Sequence, residues 1–422
     1  MYKQTILDNG LKVITNRFAD AHSLSVGLWI KTGGRYENSK NQGVSHFMEH
    51  MLFKGTKKRS CQQIKQNIEE KGGAFNAFTS EEYVCYYVKI LAEHIDLAAD
   101  VLLDMVLNSV FNKKEVEKER KVICEEIRMY LDLPMQHVHD LLDELLWPNQ
   151  PLGMPLAGTY KTVGAITQKH LLKRKELFHV PNNIIAVACG NIEHDKFVKT
   201  LNRLSENQKP KKSQTFEKLK QVDSKRSANF FYKATEQSHL CLGARALNRE
   251  HKQRYALALL NIILGGNMSS RLFNEIREKR SLAYEIGSAT KYYSDTGAFL
   301  IHAGIDNKKV KNAVAIMVKE LKKLKTGLVT KRELNMAKEY YRSALLMALE
   351  GTMSSMLFLG EQAASVDKIT AKETILREID KVSANSIMDV ANTILKPNSL
   401  RLAVIGPQKE KEKKDIESLL SL

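Results

Sequence analysis

The chain has 422 residues, of which 43% are hydrophobic and 27% are charged, proportions typical of a folded globular protein. This length exceeds one ordinary hydrophobic core and predicts two or more domains. No apolar run reaches the roughly 18 residues that a membrane span requires, which argues against a membrane-embedded protein. The first residues lack the features of a signal peptide, so we expect a cytoplasmic protein.

The formal net charge of +17 has two interpretations: a surface for nucleic acid or membranes, and a lysine-rich solvated surface. Two of the densest basic runs, "NQKPKKSQTFEKLKQ" and "QKEKEKKDIESLLSL", fall where a linker and a C-terminal tail are expected. Neither run interleaves aromatic with basic residues, as base stacking would require. We favour the solvated surface and expect neither nucleic acid nor a membrane as a partner.

Both secondary-structure periodicities occur along the chain. The opening "MYKQTILDNGLKVIT" alternates like a strand pair around the turn signal Asp8-Asn9-Gly10. Alternating runs predict further strands at "SLSVGLWIKTG", "YVCYYVKIL" and "NIIAVACG". Helices are predicted at "CQQIKQNIEEKGG", "EHIDLAADVLLDMVLN" and "KKEVEKERKVICEEIRMYLD". Paired strands with blocks of helices between them favour the α+β class.

The stretch "GVSHFMEHMLFKG", from Gly43 to Gly55, sets three titratable residues among apolar ones. His46, Glu49 and His50 have the spacing i, i+3, i+4 and share one face of a helix. Burying them together is costly unless something compensates. A metal ion would compensate, because two imidazoles at i, i+4 can bind one zinc ion.

A third ligand is expected on another element, and the predicted helix from Lys113 to Asp132 offers glutamates. Glu119 and Glu126 lie seven residues apart on one face. That face also carries Val122 and Ile123, so we expect it to point inward. A structural zinc site is the alternative, but such sites favour four ligands and cysteine. The position of Glu49 between the histidines suits a general base better than a ligand.

The sequence is an internal duplication, as three pairs of segments show. "AHSLSVGLW" aligns with "SHLCLGARA", "PNNIIAVACGN" with "PNSLRLAVIGP", and "EVEKERKVICEEIRMYLD" with "ELNMAKEYYRSALLMALE", all at offsets of 216 to 218 residues. We therefore predict a catalytic domain at residues 1–206, a basic linker at 207–225 and a homologous domain at 226–422.

The second copy lacks the metal-binding residues. Glu119 aligns with Ala337 and Glu126 with Ala344, and "HFMEH" falls on "GGNMSSRLF", which has no histidine or acid. A purely structural role for these residues would not obviously be confined to one half. The duplication therefore favours a metal site in the first copy only.

The order H-x-x-E-H, followed 76 positions later by Glu126 in "ERKVICEEI", resembles the insulinase or pitrilysin family of zinc metallopeptidases. Within this family the chain is most similar to bacterial relatives of the mitochondrial processing peptidase. The resemblance covers nearly the whole chain. It implies that His46, His50 and Glu126 bind zinc, that Glu49 is the base that activates water, and that Glu119 orients a ligand.

The resemblance also implies that a peptide substrate binds as an extra strand on a sheet edge. "GGAFNAFTSEEYVCYY" resembles the edge strand of the family, which sets Asn76, Ala77 and Phe78 beside the scissile bond. In the second copy, "IREKRSLAYEIG" matches an Arg and Tyr pair of the family. Arg277 and Tyr284 would then contact the bound peptide and stabilise the tetrahedral intermediate. An ordinary helix-end arginine and a core tyrosine are the alternative.

Two departures from the processing peptidase limit the resemblance. Of the two acidic residues with which that enzyme recognises a basic residue near the cut, one survives as Asp140 and the other is Gln136. We therefore do not expect strict arginine specificity. The glycine-rich loop of the non-catalytic processing subunit is replaced by "LGGNMSSRLF". The chain thus resembles a catalytic subunit, and we expect it to form a homodimer.

Together these features predict a zinc metalloendopeptidase that cleaves unfolded peptides. We expect two homologous α+β domains, each of mixed sheet plus helices, that enclose a cavity. A catalytically inactive scaffold of the same family is one alternative. The complete set His46, Glu49, His50 and Glu126 argues against it. A nucleic-acid-binding protein is the other alternative, and only the net charge supports it.

Overall fold

The computed structural model describes residues 2–212, 214–220 and 226–422. Residues 213 and 221–225 of the predicted linker lie outside this described part. The strands are β1 Tyr2–Ile6, β2 Lys12–Arg17, β3 Ser23–Ile30, β4 Ala74–Thr79, β5 Val84–Leu91, β6 Ile184–Gly190, β7 Ala228–Tyr232, β8 Gln237–Ala246, β9 Ala283–Tyr292, β10 Gly297–Asp306 and β11 Arg401–Gly406.

The helices alternate with these strands in blocks. They are α1 Val44–Leu52, α2 Cys61–Glu69, α3 Ile95–Asn108, α4 Lys113–Asp132, α5 Pro134–Leu146, α6 Tyr160–Ala165, α7 Gln168–Phe178, α8 His194–Ser205, α9 Arg254–Leu264, α10 Val310–Thr326, α11 Lys331–Ala348, α12 Thr352–Val366, α13 Lys372–Lys381, α14 Ala384–Ile394 and α15 Glu410–Glu417. A π-helical segment spans Phe273–Glu278.

Two mixed sheets share one topology. The first has the order β1-β2-β6-β3-β5-β4, and the second has the order β7-β11-β8-β10-β9. In each sheet one neighbouring pair is parallel, β2 with β6 and β7 with β11, and the other pairs are antiparallel. The predicted α+β class is therefore confirmed, and the second sheet repeats the first without β1.

The segments aligned in the sequence occupy equivalent elements. The first pair falls on β3 and β8, the second on β6 and β11, and the third on α4 and α11. Because each pair occupies the same place in its sheet or follows the same strands, the duplicated sequence corresponds to a duplicated topology.

The chain forms two compact units that are not contiguous in sequence. Unit 1 comprises Met1–Arg128, Pro155–Glu217 and Leu346–Ile369, and unit 2 comprises Met129–Met154, Lys218–Leu345 and Thr370–Leu422. The predicted ranges 1–206 and 226–422 are contiguous, whereas each unit includes one helix from the other half of the sequence, α5 in unit 2 and α12 in unit 1.

In unit 1 both faces of the first sheet are covered. Side chains alternate along a strand, so each strand contributes residues to both faces. One face carries Leu24, Val26 and Leu28 of β3 and joins a large core with residues of α1 and α3. The other face carries Trp29 of β3 and Val187 of β6, which pack with residues of α12. The central strand β6 is consequently buried along its whole length.

In unit 2 the second sheet packs against α5. Val138, Leu141 and Leu142 of that helix share a core with Cys241 of β8 and Ile405 of β11. The apolar face of α5 thus covers the sheet built from the second copy of the sequence.

Within the described residues, no helix taken singly has the length and apolar character to cross a bilayer. The pair α11 and α12 meets that test only when taken together, and the two helices are bent by 108° relative to each other.

Candidate metal centre

The segment with the two histidines folds as α1, as its spacing predicts. It begins after Gly43, whose φ of 86° is a conformation that favours glycine, and it ends at Leu52. His46, Glu49 and His50 are half-buried on one side. The apolar residues Val44, Phe47, Met48, Met51 and Leu52 are buried in the core. The apolar residues therefore anchor α1 and leave its three titratable side chains on the accessible side.

Glu126 of α4 completes a group of three ligand atoms. Its Oε2 lies 3.4 Å from His50 Nε2 and 3.7 Å from His46 Nε2, and the three ligand atoms all lie within 4.8 Å of one another. Among the described residues this is the one group of three or more His, Cys, Asp or Glu side chains close enough to hold a metal ion. Two imidazoles and one carboxylate match the donor set of catalytic zinc sites, so the residues fit that ion.

The two histidines have opposite pKa shifts. Burial, with the neighbouring His50, lowers the pKa of His46 to about 4, although Glu126 opposes this shift. Burial also acts to lower the pKa of His50, but hydrogen bonds to the carboxylates of Glu119 and Glu126 outweigh it and raise this pKa to about 9. His46 is therefore ready to bind as a neutral ligand at neutral pH. His50 must release a proton on metal binding, since only the neutral ring is a ligand.

Glu119, which the resemblance implies orients a ligand, is hydrogen-bonded to His50. Its Oε1 accepts a hydrogen bond from His50 Nδ1 at 2.9 Å, which leaves Nε2 directed at Glu126. Its Oε2 lies 2.5 Å from Lys54 Nζ. Burial acts to raise the pKa of Glu119, but the bonds to His50 and Lys54 outweigh it and lower the pKa.

Sequence reasoning missed Lys54, although its spacing holds a signal. Lys54 follows His50 by four residues, one helical turn, just beyond the end of α1. A cation at this position reaches the same carboxylate that His50 contacts. The glutamate therefore bridges two residues of one segment.

Glu49 is held by Thr79 of β4. The Thr79 hydroxyl donates a hydrogen bond of 2.6 Å to Glu49 Oε2. Burial raises the pKa of Glu49, and the Thr79 bond opposes that shift. A carboxylate whose pKa is raised toward the working pH is a better general base than an exposed one. Sequence reasoning also missed Thr79, which lies three residues after Asn76 in the predicted edge strand.

The strand β4 forms the edge of the first sheet next to α1. It pairs with β5, with Ala77 opposite Tyr86, and within the described residues no other strand pairs with it. Asn76 is exposed, and its Oδ1 accepts a 2.8 Å hydrogen bond from the backbone N–H of Ala77. This N–H is therefore bonded to a side chain and not to another strand. A sheet edge without a neighbouring strand can pair with an extended peptide.

Phe78 packs into unit 1. Its ring centroid lies 5.6 Å from that of Trp29 and 6.2 Å from that of Tyr87. Its side chain thus belongs to the face covered by α12, opposite the face from which Thr79 reaches Glu49. Any contact of Phe78 with substrate stays a prediction.

Known proteins resemble this chain over nearly its whole length. The family model "Insulinase (Peptidase family M16)" matches residues 12–160, and "Peptidase M16 inactive domain" matches residues 165–341. An uncharacterised zinc protease of Rickettsia felis is 37% identical over 402 residues, which cover 95% of this chain and 96% of that protein. One of Bacillus subtilis is 35% identical over 408 residues, which cover 96% and 98%. The chain belongs to the insulinase (peptidase M16) family.

Solved structures show that the fold is that of the insulinase family. A protease from Helicobacter pylori superimposes with a TM-score of 0.90 at 22% identity and covers 96% of this chain and 99% of that chain. A peptidase M16 inactive domain from Pseudomonas fluorescens superimposes with a TM-score of 0.88 at 19% identity, with 97% and 98% covered. The family models and the two relatives confirm the predicted resemblance to the insulinase family; the likeness to the processing peptidase stays a prediction.

Three other residues predicted for the insulinase-family site belong to unit 2. Arg277 lies in the π-helical segment, with its guanidinium carbon 4.8 Å from the centroid of the Tyr284 ring. Tyr284 lies at the start of β9 and is 77% exposed. The alternative of a core tyrosine is therefore excluded. Asp140 lies on α5 and is half-buried. Their contacts with substrate stay predictions.

Two expectations from the sequence need correction, one on the buried face of α4 and one on the alignment of the two copies. Val122 of α4, which we expected to face inward, is 50% exposed, while its neighbour Ile123 is fully buried. In the order of elements, α1 follows β3 as α9 follows β8, so α9 is the counterpart of α1. The aligned segment "GGNMSSRLF" comes after α9. The α9 sequence "RYALALLNIIL" contains no histidine or acid, so the absence of ligands in the second copy stands.

Proposed function

We propose that this protein is a zinc-dependent endopeptidase that hydrolyses unfolded peptides bound as an additional strand beside β4. The observation that carries the proposal is the convergence of His46, His50 and Glu126 next to Glu49, with Glu49 hydrogen-bonded to the edge strand. When bound, zinc supplies Lewis acidity, which polarises a carbonyl group and makes a coordinated water acidic near neutral pH.

The other steps belong to side chains of this chain. Glu49 accepts a proton from the attacking water and passes it to the leaving amine, because its pKa is raised by burial. Thr79 holds the carboxylate of Glu49 in place. The hydrogen bond to Glu119 keeps the proton on Nδ1 of His50, so that Nε2 remains the ligand atom.

The position of β4 supports an extended peptide as substrate. Main-chain hydrogen bonds to an edge strand require an unpaired, extended partner and tolerate many side chains. Such a site accepts unfolded segments and rejects chains whose backbone groups are already paired. Asn76 must release the N–H of Ala77 before a peptide carbonyl can bond to it. Contacts from Arg277, Tyr284 and Asp140, and pairing with a second copy of the chain, stay predictions.

The test joins metal analysis to mass spectrometry of a digested peptide library. We expect about one zinc ion per chain and cleavage within extended peptides. Both should be lost in His50→Ala and Glu126→Gln, because two ligands bind zinc far more weakly than three. Glu49→Gln should keep the zinc and lose hydrolysis, since glutamine has nearly the same shape but cannot accept the proton.

Glu125→Gln is the matched control. Glu125 is the neighbour of Glu126 on α4, its side chain is 65% exposed, and it pairs with Arg128. This variant should keep both zinc and activity. A wild-type protein that binds no zinc, or a Glu49→Gln variant that cleaves at the wild-type rate, would contradict the proposal. Zinc binding without hydrolysis would instead support an inactive scaffold.

A further inference from the structure

The N-terminus of α1 is capped by a carboxylate from outside the helix. Glu37 Oε2 accepts a 2.7 Å hydrogen bond from the Gly43 N–H, and Oε1 accepts one of 2.7 Å from the Ser45 N–H. The first N–H groups of a helix lack intrahelical partners, and a negative charge there is favourable. The N-cap residue Gly43 has no side chain to serve this purpose, so Glu37 takes the role from six residues upstream.

A buried arginine braces the same helix end. Arg174 of α7 donates hydrogen bonds to Ser45 Oγ at 2.6 Å and to the Gly33 and Tyr36 carbonyl oxygens at 3.1 and 2.9 Å. Glu37 and Arg174 are each only 6% exposed. Both contact Ser45, Glu37 at its backbone and Arg174 at its side chain. Because isolated buried charges are costly, the two groups depend on each other.

The segment that carries Glu37 is also bound to the turn after β4. The Arg35 N–H donates to the Glu81 carbonyl oxygen at 2.8 Å, and Arg35 Nη1 lies 2.7 Å from Glu82 Oε1. Arg35 and Glu82 are both buried. Gly33 approaches this turn so closely that a Cβ there would lie 2.2 Å from the Ser80 carbonyl oxygen. Residues 33–37 therefore contact both the turn between β4 and β5 and the start of α1.

We propose that Glu37 is a positioning residue of the metal centre: its buried carboxylate fixes the first turn of α1, and with it His46, relative to the edge strand β4. The inference rests on the proposed function. His46 directly follows Ser45, so a shift of the Ser45 backbone moves this ligand. The bond between Thr79 and Glu49 spans from β4 to α1, so the same shift also moves the general base.

The position of Glu37 predicts which binding and kinetic constants change when its carboxylate is removed. Loss of the cap displaces His46 and Glu49, while the pairing of β4 with β5 remains. Metal affinity and kcat should therefore fall, and KM should change little. Partners that orient metal ligands typically contribute about 10–100-fold to affinity or activity, and we expect the lower end, about tenfold, because Glu37 acts through the helix backbone.

The experiment compares Glu37→Gln with Asp104→Asn in the full-length chain. Asp104 is also a buried carboxylate of unit 1, and it pairs with Arg59, but it lies on α3. Zinc affinity is measured by competition with a chelator, the ligand field by the absorption spectrum of the cobalt-substituted protein, and kcat and KM with a cleaved peptide. We expect weaker zinc binding, an altered cobalt spectrum and a lower kcat in Glu37→Gln only.

Glu37→Gln leaves the Arg174 charge unbalanced, so folding needs its own control. If this variant does not fold, the double variant Glu37→Gln/Arg174→Gln is measured in its place, since it removes both charges together. Wild-type affinity and spectrum in the folded variant would overturn the inference, as would equal losses in Asp104→Asn. A wild-type chain without zinc affinity or hydrolysis would instead refute the proposed function.

Discussion

His50 has a separate task for each of its two ring nitrogens. Nε2 lies near Glu126, and Nδ1 is bonded to Glu119. Lys54 holds the other oxygen of Glu119, so that this carboxylate remains ionised and aligned. The histidines and Glu119 could be recognised from helical spacing and from the family motif. Lys54 also has a sequence signal, its spacing of four residues from His50, but its contact with Glu119, like that of Thr79 with Glu49, depends on a partner supplied by another element.

Lys54→Met should weaken zinc binding by about tenfold, the lower end of the range for partners of metal ligands. Methionine keeps much of the length of the side chain but cannot bond to Glu119, so the glutamate loses the cation that lowers its pKa. Chelator competition measures the effect. Lys58→Met is the control, since Lys58 is exposed and pairs with Asp100. Equal affinities for both variants would mean that Lys54 has no role at the centre.

At the scale of elements, the packing of α12 on the first sheet depends on a glycine. Gly360 faces Trp29 of β3, and a Cβ at this position would lie 2.1 Å from the indole Nε1 and Cε2 atoms. On the same sheet, a Cβ at Gly27 would lie 2.5 Å from Met356 Sδ. The helix and the strand therefore approach closely because each has a glycine opposite a large side chain of the other.

Gly360→Ala should destabilise the protein by about 1–3 kcal/mol, the usual cost of overpacking a core. This reverses the usual effect, since alanine in a helix interior is favoured over glycine by about 1 kcal/mol. Gly164→Ala in α6 is the control, because a Cβ there would meet no atom within 4 Å, and it should be neutral or stabilising. Urea unfolding of the three proteins measures the difference. A Gly360→Ala variant more stable than the wild type would show that α12 can move away from the sheet without loss of unfolding free energy.

At the scale of the whole molecule, each unit contains one helix from the other half of the sequence. The sequence repeat predicts a first domain that ends near residue 206, but unit 1 also requires Leu346–Ile369. This segment contains α12, which covers Ile14, Trp29 and Val187 on one face of the first sheet. A contiguous first half lacks that cover and exposes a large apolar surface.

A fragment of residues 1–217 should therefore aggregate and bind zinc poorly, although it contains all the candidate ligands. Joining residues 346–369 to its end through a flexible glycine-serine linker should restore a soluble fragment that binds zinc. Size-exclusion chromatography, circular dichroism and metal analysis of the two fragments provide the test. A monomeric, zinc-binding 1–217 fragment would show that α12 is dispensable for unit 1.

The sequence by itself determined the class of the fold, its duplication and the motif of the candidate metal centre, because all three are local or repeated patterns. Strand alternation, helical periodicity and the spacing of His46, Glu49 and His50 each act over a few residues. The tertiary structure decided which sheet α5 and α12 cover, how Thr79 reaches Glu49, and how Glu37 and Arg174 meet at Ser45. An apolar helix face shows only that it will be buried. Its partner depends on the path of the chain between elements, which periodicity does not describe.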